Sequence, residues 1–134
     1  MINDNIKLKS TCISAVNENI SMLNDIYDRV ENQSFKRLIK NSCTKHNMLC
    51  MHLGININKI RENHGTKILN AVKLKNCTDD KKLAEFVANG CNSSLNSLCH
   101  SFNECKGANQ KTTEIAQKLI KIEENLASDV RRYL

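Results

Sequence analysis

The sequence contains no proline and no tryptophan, and only three phenylalanines and two tyrosines. Without proline, helices can run long, interrupted only by glycine and polar turns. Aromatics at 4% leave few rings for stacking bases, and the basic residues are spread in small groups such as Lys36, Arg37 and Lys40, or Lys81 and Lys82. The net charge of +6 suits an anionic partner, yet no long basic block stands out, and nucleic acid is not an expected partner. Lys, Asn and Ile are abundant together, as codon usage in an AT-rich bacterial genome would give. No apolar run approaches the ~20 residues needed to cross a bilayer, so no membrane partner is expected. The opening MINDNIKLKS lacks the apolar core and small-residue cleavage site of a signal peptide. No C-x-x-C pair occurs, and the seven cysteines are odd in number and not spaced like a small secreted scaffold. Reduced thiols in the cytoplasm are the expectation.

What is present is helical periodicity. At 134 residues the chain is expected to form one domain, 1–134, with a real hydrophobic core that needs no disulfide. Over 4–30, Ile6, Ile13, Val16, Ile20, Leu23, Tyr27 and Val30 follow the three-four spacing of a buried helix stripe. Asn32, Gln33 and Ser34 break it, and Asn32 or Ser34 is placed to cap the next helix. A second stripe over 35–64 runs Phe35, Leu38, Ile39, Ser42, Cys43, His46, Leu49, Cys50, Leu53, Ile57 and Ile60. Gly54 inside it costs about 1 kcal/mol relative to Ala, and His64-Gly65 is the expected stop. Ile68, Leu69, Ala71, Val72 and Leu74 suggest a short helix in the link, and Thr78, Asp79 and Asp80 an acidic helix start. The third helix, 81–105, carries Leu83, Phe86, Val87, Cys91, Leu95, Leu98, Phe102 and Cys105. After a turn holding Gly107, the fourth, 110–133, carries Ile115, Leu119, Ile122, Leu126, Val130 and Tyr133.

Four such helices make an all-α four-helix bundle. The two short turns set helices 1 and 2, and helices 3 and 4, antiparallel. With a helical link too short to cross the bundle, a plain up-down-up-down order is the expectation.

Cys43, His46 and Cys50 share one face of helix 2. Thiolate and imidazole suit Zn²⁺ or Cu⁺, and Cys91 on helix 3 is the expected further ligand, with Cys99, Cys12 or Glu123 as alternatives. Cys43 and Cys50 lie ~10.5 Å apart along the axis, so one ion takes His46 with one thiol or the other. The competing reading is that these cysteines pack as small hydrophobes, with no cofactor bound. Cys77, in the connecting segment, is the expected accessible thiol. No nucleophile, base and oxyanion partner can be named together, so no enzymatic activity is expected.

The layout resembles that of uncharacterised bacterial ferritin-like domains. The likeness rests on the break before Asn32-Gln33-Ser34-Phe35-Lys36-Arg37-Leu38, the His64-Gly65 ending, the link opening Thr66-Lys67-Ile68-Leu69 and the restart at Asp79-Asp80. It implies a ferritin-like fold. The di-iron chemistry of ferritin-like enzymes is not implied, because that site needs a Glu from two helices and Glu-x-x-His from the other two. Here Cys43-Thr44-Lys45-His46 puts a thiol where a Glu would stand, and Glu123-Glu124 has no His at the required spacing. The chain is therefore expected to be a non-enzymatic binding or scaffold protein, with a protein partner or its own copy as ligand. The alternatives are a Zn or Cu protein using Cys43, His46, Cys50 and Cys91, and a degenerate ferritin-like redox protein.

Overall fold

A computed structural model describes residues 3–54, 77 and 79–134. Four helices are present among them: α1 (Asp4–Tyr27), α2 (Gln33–Leu53), α3 (Asp80–Glu104) and α4 (Gln110–Val130), with a 3-10 turn at Arg131–Tyr133. The architecture is an all-α four-helix bundle, and no strand occurs among the described residues. No described helix is long and apolar enough to cross a membrane.

Each helix starts on the same device. The side-chain oxygens of Asn3, Asn32, Asp79 and Asn109 accept from the backbone N–H groups of Ile6, Phe35, Lys82 and Thr112. Each satisfies a donor that a helix start otherwise leaves open, worth ~1 kcal/mol. Of the two caps proposed before α2, Asn32 is the one used.

Helix α2 is shorter than its apolar stripe suggests. It ends at Leu53, where Gly54 takes the left-handed conformation (φ 71°) and its N–H turns back to the Cys50 and Met51 carbonyls. Gly54 is thus a stop and not a tolerated interior glycine. The remainder of the expected helix to 64, the His64-Gly65 ending and the short helix of the link lie outside the described residues.

Helix direction follows from contacts between helix ends. Lys7 near the start of α1 pairs with Glu104 at the end of α3. Asp80, at the start of α3, accepts from the N–H groups of Glu31 and Asn32 beyond the end of α1. These contacts make α1 and α3 antiparallel. Ser34 at the start of α2 bonds Tyr133 beyond the end of α4, so α2 and α4 are antiparallel too. With two antiparallel hairpins, the order is up-down-down-up and not the expected up-down-up-down. Helices α2 and α3 run the same way, so the end of α2 and the start of α3 lie at opposite ends of the bundle. The expectation failed because extending α2 to 64 left too short a link. A 21-residue helix is ~32 Å long. With α2 ending at Leu53, residues 54–79 reach that far even at helical rise.

The two hairpins clasp each other reciprocally. Asp80 of α3 holds the α1–α2 turn, while Asp4 and Asn5 of α1 accept from the N–H groups of Gly107 and Asn109 in the α3–α4 turn. In space α1 lies between α2 and α3, and α4 packs on α2 and α3.

The core falls into two apolar clusters. One holds Leu8, Cys12, Val16, Ile20, Leu49, Cys50, Leu53, Leu98, Cys105 and Leu119. The other holds Leu23, Ile26, Phe35, Ile39, Leu83, Val87, Cys91, Leu126 and Val130. On α1 the buried stripe begins at Leu8 and Cys12, whereas Ile6 is exposed. Counting Ile6 into the stripe misses this phase, because the stripe continues through the polar Asn19. Phe35 stacks on Tyr133, ring centroids 4.6 Å apart, and closes the second cluster.

Candidate functional site

Between the two clusters lies a layer of buried polar residues drawn from all four helices. Asn19 of α1 donates from Nδ2 to Ser94 Oγ of α3 at 3.0 Å. His46 of α2 bonds Glu123 of α4 through Nε2 and Oε1, and both side chains are wholly buried. The two stand at equivalent places, each fourteen residues after its capping asparagine, Asn32 or Asn109.

The state of His46 follows from its other nitrogen. Nδ1 lies 2.7 Å from the Ser42 carbonyl oxygen. A carbonyl only accepts, so Nδ1 carries a hydrogen. One further proton then sits between Nε2 and Oε1, as imidazolium facing carboxylate or as imidazole facing carboxylic acid. Either form is neutral overall, and neutrality makes complete burial tolerable. The other oxygen, Oε2, is buried and has no hydrogen-bond partner. The Cys91 thiol is the donor that faces this carboxylate.

Cys91 faces the same carboxylate. Burial pushes its thiol far up, and the Glu123 charge pushes it further. Burial alone raises Cys12 and Cys50 to about 11. The thiolate is the reactive and metal-binding form, so these groups are poor nucleophiles at neutral pH.

The four residues proposed as metal ligands are thus dispersed. His46 turns to Glu123, and Cys91 lies beside the same carboxylate in the second cluster. Cys50 is buried in the first cluster. Cys43 is half-buried on the edge of α2 and bonds Asn24 of α1. Among the described residues, no three His, Cys, Asp or Glu side chains form a group that could hold a metal ion. Cys12, Cys50, Cys91, Cys99 and Cys105 are free thiols. Of the alternative ligands, Glu123 alone is brought to His46. Asn19 and Ser94 went unrecognised in the sequence, since a single polar residue in an apolar stripe looks like a flaw in the periodicity.

A second feature lies on the surface between α2 and α4. Lys45, Met48, Leu49 and His52 of α2, with Lys118, Lys121 and Ile122 of α4, line an open groove of about 310 Å³. Its floor is apolar and its rim carries three lysines. On α2 the four lining residues follow i, i+3, i+4, i+7, one face of the helix over two turns. Met48 is 58% exposed and the adjoining Met51 76%. Two hollows near the carboxyl terminus, one of about 400 Å³ lined by Glu85 and Arg131 and one of about 220 Å³ lined by Arg37, Asp129 and Arg132, mix both charges.

No protein-family model matches the chain, and neither a curated protein nor a solved structure matches it.

Proposed function

We propose that this chain is a non-enzymatic binding protein, a ferritin-like four-helix scaffold that presents the α2–α4 face to another protein. The observation that carries the reading is the groove, where Met48 stands open to solvent beside the half-buried Ile122, with Leu49 buried between the two helices. An apolar floor with a polar rim is the kind of surface a partner protein can cover. Methionines suit such a surface, because their flexible side chains adapt to a partner. The up-down-down-up order with one long crossover is that of ferritin-like bundles, and it supports the ferritin-like part of the proposal. The reduced state of the buried thiols fits a reducing compartment such as the cytoplasm.

The test is site-specific photocrosslinking in the native cell. A photoreactive residue at Met48 is expected to capture a defined protein, and one at Asn103, on exposed α3 surface, is not. Equal capture at both positions would sink the proposal. Folding is expected to be independent of metal, so a chelator should leave the melting temperature unchanged.

A second reading is favoured by one observation, the buried Glu123 oxygen without a partner beside His46 and Cys91. His46, Glu123 and Cys91 do not form a metal-holding group as they stand, so a zinc or cuprous ion there would have to draw the three side chains together, and would then satisfy that oxygen and lower the thiol's pKa. Mass spectrometry of protein purified without oxygen or an affinity metal column separates the two. One equivalent of zinc or copper, lost in His46→Leu, would establish the metal reading. A metal-free protein would leave the scaffold reading standing.

A further inference from the structure

The chemistry of the groove specifies its occupant further. We infer that the α2–α4 groove seats an acidic amphipathic helix of a partner protein. This rests on the reading of the chain as a binding scaffold and adds the partner's class. The floor is apolar, with Met48 exposed, Ile122 half-buried and Leu49 buried, and it suits an apolar stripe. The rim residues Lys45, Lys118 and Lys121 are all exposed cations, and among the described residues no carboxylate lines the groove. A helix laid on this face would drop apolar side chains between α2 and α4 and turn carboxylates outward to the lysines. From Lys45 to His52 is seven residues, ~10.5 Å along the axis, which matches about two turns of an incoming helix.

Charge argues against the other two occupants. A second copy docked symmetrically would bring the same three lysines against themselves, and like charges across an interface repel. The chain's own segment 55–76 carries Lys59, Arg61, Lys67, Lys73 and Lys75 against the single Glu62. A basic segment is the wrong complement for a basic rim. An acidic partner also makes use of the net charge of +6, which raises encounter rates with anionic surfaces.

The experiment uses the full chain and two designed 18-residue helical peptides with the same leucine stripe. One has Glu at the flanking positions and the other has Lys. Binding is followed by fluorescence anisotropy, and the site by methyl NMR at Met48, Leu49 and Ile122. The Glu peptide is expected to bind, shift those methyl signals and weaken as salt rises. The triple variant Lys45→Glu, Lys118→Glu, Lys121→Glu should lose about tenfold or more for the Glu peptide and gain affinity for the Lys peptide. Because all three lysines are exposed, the variant should fold, and its circular dichroism checks this. Equal binding of both peptides at these methyls would overturn the acidic specificity while leaving the scaffold reading intact. Binding of neither peptide, or a groove covered by 55–76 or by a second copy in the NMR and light-scattering data, would overturn the inference. The crosslinking at Met48 then tests the scaffold reading by itself.

Discussion

The middle of the bundle and its α2–α4 surface invert the usual distribution of side chains. Inside, where apolar groups are expected, His46, Glu123, Asn19 and Ser94 form a polar layer closed to solvent. Outside, where polar groups are expected, Met48 and Met51 stand open to water. The two cases have different energetics. A buried ion pair is held by internal partners, and its loss is felt as stability. An exposed apolar residue contributes little to stability, and its loss is felt only when something binds. A stability series and a binding series should therefore separate along this line.

The largest effect is expected at Glu123. Glu123→Leu leaves His46 buried without its partner and should cost about 3–5 kcal/mol in urea denaturation. The double variant His46→Leu, Glu123→Leu should recover most of that loss, because removing both partners removes the desolvation cost as well. A double variant as unstable as the single one would show that the layer has some other role, and the contrast drawn above would fail.

The buried thiols set an alkaline limit. The pKa of Cys12 and Cys50 is raised from 9.0 to about 11 in the fold, so the unfolded chain loses these protons first. Stability is fully present below pH 9 and falls as the pH rises towards 11. Urea midpoints measured from pH 8 to 11 check this, and Cys12→Ala with Cys50→Ala should flatten the decline while lowering the plateau. A midpoint constant to pH 11 in the parent chain would contradict the burial of these groups.

Gly54→Ala should cost about 1 kcal/mol, although nothing lies within 4 Å of the added methyl, because the left-handed backbone disfavours any Cβ. No loss of stability would place the end of α2 elsewhere. The smallest effect is expected at the groove, where Met48→Ser should change stability by less than about 0.5 kcal/mol. The same substitution should weaken the Glu peptide measurably. A large stability loss there would mean that Met48 is packed and not open, and would erase the second half of the comparison.

Local features of the fold were legible because their causes are local. Helix starts near Asn32–Ser34 and Thr78–Asp80, the turn at Gly107, and stripes through Val16, Ile39, Val87 and Leu119 depend on neighbours one turn away. The site was legible only in part. His46 stood out as a histidine on an apolar face, and Glu123 only as an alternative ligand to a shared metal ion, not as its direct hydrogen-bond partner. Choosing the carboxylate over Cys43 or Cys50 required knowing which helix faces α2. Asn19 and Ser94 carried no signal, since a lone polar residue in a stripe has the same appearance whether it is buried or not.

By itself, then, the sequence determined an all-α chain of four amphipathic helices, where they start, and which faces are apolar. Those properties follow from backbone hydrogen bonding and a 3.6-residue repeat. Only the tertiary structure decided that α2 runs parallel to α3, that His46 meets Glu123 across 77 residues, and that Met48 and Ile122 border one groove. Periodicity fixes which face of a helix is buried but not which helix covers it. That choice is made by the length of the crossover and by contacts between distant parts of the chain.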